Sequence, residues 1–251
     1  MIAKEEILPD LQNRKYQIKI AETEREVDSA LRLRFNIFGK ELNRGFDFKN
    51  GRDYDAFDDQ CHHLIVKDKI EDKIVGTYRL QTYEQAIKGE GFYTDKRFLL
   101  GQLPGRVLAN SFEVGRACIA DGHRNGKVLF LLWKGLAGYL EFFNKRYMFG
   151  TAALDTVDKK VAYNTFYYLK DEGFLHPDYL IDVRPEYMFD GDDFTNKNGD
   201  VDIPPLLKNY LQVGTKICSM PAFTQQTKLI HFFILLDIET ITDKTRKLFF
   251  G

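Results

Sequence analysis

Apolar residues recur along this chain with two periods, and each change of period marks a new element. Residues 16–23 (YQIKIAET) alternate polar and apolar, which predicts a strand. From 23 to 42 the spacing becomes helical, opened by Thr23 as N-cap with Glu26 three positions on, the pair that forms a capping box. Residues 62–68 (HHLIVKD) and 73–82 (KIVGTYRLQT) read as two strands joined by a short charged turn, hence a hairpin. Residues 109–120 predict a further strand, 126–145 a buried helix, 146–154 a strand, and 158–173 a helix that stops at Gly173. A short helix over 204–214 and strands over 215–220 and 228–238 close the chain. That succession predicts one α/β (α+β) domain over residues 1–251, with a mixed, largely antiparallel sheet and helices on both faces. The polar run 190–202 (DGDDFTNKNGDVD) is too short for an interdomain linker and reads as a surface excursion.

Composition narrows the class. With 44% hydrophobic and 14% aromatic residues in 251, the chain can build a substantial core. A net charge of -1 gives no global basic field, which argues against nucleic acid as a partner. The longest apolar run, 128–143, is broken by Lys134 and Glu141 and is too short and too charged to span a bilayer. The opening MIAKEEILPD has no apolar signal core, and Cys61, Cys118 and Cys218 are scattered and odd in number. Both features predict a cytoplasmic protein with reduced thiols.

Several charges lie in or beside apolar elements: Arg34, Asp55, Asp58, Arg79, Glu113 and Arg116. Buried charges are costly unless matched, so these residues either pair with one another or receive a charged substrate. For Glu113 and Arg116 both readings stay open. The corner Arg124-Asn125-Gly126-Lys127 opens the 126–145 helix, where exposed backbone N–H groups bind anions. The CHH run at 61–63 predicts no metal site, because neighbours entering a strand point to opposite faces. Cys118 has no base at fixed spacing and reads as a core residue. The aromatic run 163–169 reads as a packed helix face or as the wall of an acyl tunnel.

The order of elements resembles the GNAT acyltransferase fold, in which the central fourth and fifth strands splay apart and a helix N-terminus receives the phosphates of the acyl carrier. Arg34-x-x-x-Phe38, Asp55-x-x-Asp58, Gly76-x-x-Arg79-Leu80 and Glu113-x-x-Arg116 resemble the signature of acyl-homoserine lactone synthases. The wider set DYDAFDDQCHHLIV, VGTYRL, GFYTDKRF, EVGRACI, LLWKGLAGYL and LLKNYLQVGTKICSMPAF is similar to the ornithine-lipid N-acyltransferase family, also labelled haemolysin-like, from about Arg34 to Asp237. The resemblance implies transfer of a long 3-hydroxyacyl chain from acyl carrier protein to the α-amine of ornithine or glycine. The carrier thioester is then a co-substrate, and no cofactor or metal is implied. The corner departs from the Gln/Arg-x-x-Gly-x-Gly/Ala pattern, since only Gly126 follows Arg124 closely, and this disfavours coenzyme A as donor.

Aminolysis of a thioester needs a neutral amine in line with the carbonyl and a group to take its proton. Glu113 is the first candidate for that base or relay, with His62 or His63 as an assistant. Arg79 and Arg116 compete for the acceptor's carboxylate, because an arginine fork matches two oxygens. Asp55 and Asp58 hold the acceptor's amino end or, by preference, orient Arg34 and Arg79. Acyl carrier protein is acidic, so Arg124, Lys127, Lys145 and Arg146 are expected to form a docking patch. An amphiphilic product predicts transient contact with the inner membrane surface. Two rivals remain: an acyl-homoserine lactone synthase using S-adenosylmethionine, and a non-enzymatic membrane-active protein.

Overall fold

The computed structural model describes residues 7–8, 12–44, 48–189 and 199–250. Most of the opening stretch MIAKEEILPD and positions 190–198 of the polar run lie outside the described residues. The strands are β1 (Tyr16–Ile20), β2 (His62–Asp68), β3 (Lys73–Thr82), β4 (Ser111–Ile119), β5 (Tyr147–Leu154), β6 (Lys216–Ile217), β7 (Ala222–Thr224) and β8 (Leu229–Asp237). The α-helices are α1 (Glu24–Arg34), α2 (Tyr83–Ala86), α3 (Gly105–Ala109), α4 (Lys127–Phe142), α5 (Lys159–Asp171), α6 (Pro205–Gln212) and α7 (Asp243–Phe249). They form two compact units, Met1–Glu90 with Val114–Lys145 and Arg246–Gly251, and Gly91–Glu113 with Arg146–Thr245.

In the first unit the strand order is β1-β2-β3-β4. Antiparallel pairing sets Ile18 opposite Val66, Leu64 opposite Tyr78, Val66 opposite Gly76 and His63 opposite Arg79. Side chains alternate along each strand, so Ile18, Leu64, Val66, Gly76 and Tyr78 share one face while His63 and Arg79 take the other. Helix α4 lies on the first face. A Cβ on Gly76 would stand 2.7 Å from Val128 Cγ1, and one on Gly135 2.5 Å from Ile18 Cδ1. These two glycines let helix and sheet approach closely. Helix α1 occupies the opposite face, with Leu33 and Ile37 packed against Cys118. It starts at the expected capping box: Glu26 N–H donates to Thr23 Oγ1 at 3.2 Å, and Thr23 N–H donates to Glu26 Oε2 at 3.3 Å.

The helix expected over 23–42 does not stay α-helical. After Arg34 it widens into a π-helical turn, Phe35–Glu41, where Leu42 N–H reaches back to Ile37 O at 2.9 Å. The apolar spacing persists through this turn, so periodicity alone does not register the change.

The second unit is built on β8, buried along nearly its whole length, with β5 on one side and β6 and β7 on the other. Phe149, Phe232 and Phe233 fill its core, the rings of Phe149 and Phe233 lying 5.7 Å apart. The strand expected over 215–220 shrinks to Lys216–Ile217, and pairing with β8 resumes at Ala222 after Pro221, which has no N–H to donate. The start of the strand expected over 109–120 is instead the end of helix α3. Strand β4 runs through both units, its residues up to Glu113 in the second and from Val114 in the first. At Arg116 its backbone has φ +53°, a left-handed conformation that is uncommon for a side chain this large. The strand pairs β1–β2, β2–β3, β5–β8, β6–β8 and β7–β8 are antiparallel, in keeping with the largely antiparallel sheet expected.

Candidate active site

Asp53, Asp55 and Asp58 follow α1 and its π turn closely in sequence, and the chain there folds around its own carboxylates. Asp53 N–H donates to Leu31 O at 3.1 Å, tying this segment to the end of α1. Asp55 caps the 3₁₀ turn Ala56–Gln60: its Oδ1 accepts from Phe57 N–H at 3.0 Å, while Asp55 N–H donates to Asp58 Oδ2 at 2.9 Å. This is a capping box with aspartate in the place glutamate usually takes.

These carboxylates meet three arginines in a closed ring. Arg34 Nε donates to Asp53 Oδ2 at 2.9 Å, and Arg116 Nε lies 3.1 Å from the same oxygen. Arg116 Nη2 donates to Asp55 Oδ2 at 2.9 Å. Arg79 Nη1 donates to Asp55 Oδ1 at 2.6 Å and sits 3.3 Å from Asp58 Oδ1. Asp58 closes the circuit by accepting from Arg34 Nη1 at 2.6 Å and Nη2 at 3.1 Å. Positive and negative groups alternate and their charges cancel. Arg34 and Asp58 are each 1% exposed at the side chain, whereas Asp55, at 26%, is the ring's outlet to solvent. Burial pushes the Asp58 carboxyl up, yet Arg34 and Arg79 together hold it well below the usual carboxylate range. Burial likewise opposes the charge of Arg79, but Asp58 and Asp55 keep its pKa raised.

The ring brings together Arg34, Asp55, Asp58, Arg79 and Arg116, five residues the sequence singles out, and adds Asp53, which it does not. The signal for Asp53 was present: it stands in the same DYD run as Asp55, two residues away and therefore able to share a face in extended chain. The two adjacent histidines part company. His63 faces the ring, its Nε2 3.9 Å from Asp58 Oδ1, and burial drives its pKa down to about 4. His62 lies on the α4 face, where its Nδ1 is 2.8 Å from Tyr139 Oη and its ring stacks on Phe143 at 5.9 Å. Burial lowers the pKa of His62 as well.

Glu113 belongs to the second unit. Its Oε1 accepts from Thr94 N–H at 2.6 Å and its Oε2 from Tyr93 N–H at 2.9 Å. These two amides fix the orientation of the carboxylate. The Arg124–Lys127 corner stands where the sequence puts it, directly before α4. Gly126 takes φ +82°, and Asn125 Oδ1 accepts from Lys127 N–H at 3.2 Å. Arg124 is engaged by Glu41 through two bonds of 2.6 and 2.7 Å.

The expected four-residue docking patch does not form. Arg124 and Lys127 stand at the start of α4, while Lys145 and Arg146 follow its other end, about 24 Å along a 16-residue helix. Lys145 is also largely buried and donates to Glu84 at 2.6 Å, and Arg146 is clamped by Asp237 at 2.8 and 2.6 Å. Cys118 is a core residue as expected, with its thiol pushed up to about 12 by burial.

Residues 33–134 match the family model described as an acetyltransferase (GNAT) domain. Over 91% of its length the chain is 27% identical to an L-ornithine N(alpha)-acyltransferase of Agrobacterium fabrum, of which the match covers 83%. The fold is shared with FeeM, an N-acyl amino acid synthase from uncultured soil microbes, at a TM-score of 0.54 and 9% identity over 93% of this chain and 98% of that one. It is shared too with the acyl-homoserine lactone synthase LasI, at 0.52 and 11% over 94% and 95%. The chain is a GNAT-fold acyltransferase. In this acyltransferase the Arg–Asp ring and the turn before α4 both fall inside the matched 33–134 segment. Among the described residues, no helix is long and apolar enough to cross a membrane.

Proposed function

We propose that this acyltransferase moves a long 3-hydroxyacyl chain from acyl carrier protein to the α-amine of an amino acid, ornithine foremost, yielding a lyso-aminolipid. The observation that carries the reading is the near-full-length similarity to L-ornithine N(alpha)-acyltransferases. The geometry supports it by supplying a fixed carboxylate at Glu113 and a helix N-terminus at Lys127 for the carrier's phosphate.

In the reaction the neutral amine attacks the thioester carbonyl, the C–N bond forms as the C–S bond breaks, and the carrier leaves as a thiolate. The ammonium proton passes to Glu113, whose carboxylate the Tyr93 and Thr94 amides hold in place, and from there to the thiolate. Arg34, Arg79 and Arg116 each pair with two aspartates, so the ring serves as a frame that fixes strands β3 and β4 rather than as a set of open forks. His62, held by Tyr139, supports that frame from the other face. Arg124 and Lys127 remain as the basic pair that meets the acidic carrier. The enzyme works in the cytoplasm and touches the inner membrane surface when it releases its amphiphilic product.

The test is acyl transfer by the purified protein. Ornithine with a 3-hydroxyacyl carrier thioester should give the N-acyl product by mass spectrometry, far faster than with acetyl-CoA. Equal turnover with acetyl-CoA would reject the carrier, and no product from any amino acid would reject the acceptor.

A further inference from the structure

Every arginine of the ring has two aspartate partners; Arg97, in the second unit, has none among the described residues. Its side chain is buried, with the residue 6% exposed, and no carboxylate pairs with it among the described residues. Its Nε donates to Thr224 Oγ1 at 3.0 Å and its Nη2 to Tyr93 Oη at 3.2 Å, both neutral oxygens. The guanidinium lies over the Tyr93 ring at 4.9 Å and near that of Tyr187 at 5.8 Å. Its Nη1 is buried and has no hydrogen-bond partner among the described residues; Nε and Nη2 each make one bond, so both Nη1 donors and the second Nη2 donor are unused.

A buried guanidinium without an anion is an expensive arrangement, and a bound anion would supply the missing charge. The backbone around it is pinned. Arg97 N–H donates to Thr94 O at 3.0 Å, Arg184 N–H donates to Arg97 O at 2.8 Å, and Leu99 N–H donates to Asp182 O at 2.9 Å. The 3₁₀ turn Thr94–Lys96 is thus held at its start by Glu113, through the Tyr93 and Thr94 amides, and carries Arg97 at its end. One such turn advances about 6 Å. Glu113 and Arg97 thus flank one short turn of the second unit.

We infer that Arg97 is the anchor for the α-carboxylate of the acceptor amino acid. The two planar oxygens of a carboxylate match one free N–H of Nη1 and the remaining N–H of Nη2, and two tyrosine rings flank the guanidinium. The inference rests on the acyltransferase reading above and names the residue that selects its acceptor. Arg79 and Arg116, the two arginines the sequence offers for this role, already have their carboxylates in Asp55, Asp58 and Asp53.

Calorimetric titration of the wild type, Arg97→Gln and Arg97→Lys with L-ornithine, with L-ornithinamide and with an acyl carrier thioester tests this, alongside melting curves without ligand. The wild type should prefer ornithine to its amide. Arg97→Gln should lose that preference, bind ornithine about 30-fold more weakly or worse, and keep its affinity for the carrier thioester. Arg97→Lys should fall between. Free of ligand, Arg97→Gln should melt at or above the wild-type temperature, since an uncompensated charge has been removed. A wild type indifferent to the carboxylate, an Arg97→Gln protein that still discriminates, or a loss confined to the carrier thioester overturns the assignment. So does a sharply lower melting temperature in Arg97→Gln when Arg97→Lys binds ornithine normally, which would mark a structural arginine. Binding that depends on Arg97 without acyl transfer would instead defeat the functional reading and leave the carboxylate site standing.

Discussion

Arg34 and Asp58 meet through two near-parallel hydrogen bonds of 2.6 and 3.1 Å, both side chains sealed from water. Removing one partner of such a pair strands the other charge in the interior. Arg34→Met or Asp58→Asn should therefore cost about 3–5 kcal/mol, measured as the shift in urea midpoint. The double variant should lose less than the sum, because neither residue is then left alone. A cost under about 1 kcal/mol for Arg34→Met would show that the ring is not what holds α1 to the strands.

His63 makes stability depend on pH. Its pKa falls from the usual 6.5 to about 4 in the fold. Above pH 6.5 the imidazole is neutral in both states and contributes no slope. Between about 6.5 and 4 the unfolded chain binds a proton that the folded one refuses, so stability drops as pH falls, by about 3 kcal/mol over the window. His62, also lowered by burial, acts in the same sense. His63→Leu should flatten this part of a stability–pH curve, and an unchanged slope would exclude His63 as its source. Asp58, whose pKa is depressed, adds its loss only at lower pH, beneath the ordinary carboxylate range.

For Glu113 the structure predicts a compound effect. Glu113→Gln removes the proton acceptor, and its amide nitrogen cannot accept from one of the two N–H groups at Tyr93 and Thr94. kcat should fall by roughly 10²–10⁴, with a stability loss of about 1–3 kcal/mol from the orphaned donor. Rates taken well below the melting transition separate the two. A folded variant with wild-type turnover would take Glu113 out of the chemistry.

Docking is tested at Lys127 and Arg124. The Arg124–Glu41 pair is exposed, and such pairs contribute about 0–1 kcal/mol, so charge reversal at both cations should leave the melting temperature nearly unchanged. The KM for the carrier thioester should rise more than kcat falls, since docking is binding shared by ground and transition states. Reversal at Lys145, on the far end of α4 and paired with Glu84, should instead destabilise the protein.

The elements that carry strong local signals were legible in the sequence: the capping box at Thr23, the β2–β3 hairpin, α4 and α5. Those that depend on tertiary context were not. Residues 35–41 keep helical spacing while the backbone widens, and Ala222–Thr224 becomes a strand only because β8 supplies partners. The site divides in the same way. Charges in apolar elements pointed to the ring, but its closure needs Asp53, in a loop without periodicity. Arg97 caps a short 3₁₀ turn whose sequence, YTDKRF, reads as an ordinary polar loop; that no carboxylate among the described residues pairs with it is a property of three-dimensional placement alone.

The ring's neutrality has a consequence for how this enzyme responds to its surroundings. Its six charges are matched pair by pair and mostly shielded from water, so dissolved ions have little access to them. The cations before α4 stand in solvent, where ions crowd them freely. Raising ionic strength should thus act as a selective solvent knife, weakening encounter with the carrier while the scaffold beneath keeps its shape. The protein separates the electrostatics that build it from the electrostatics by which it meets its partner.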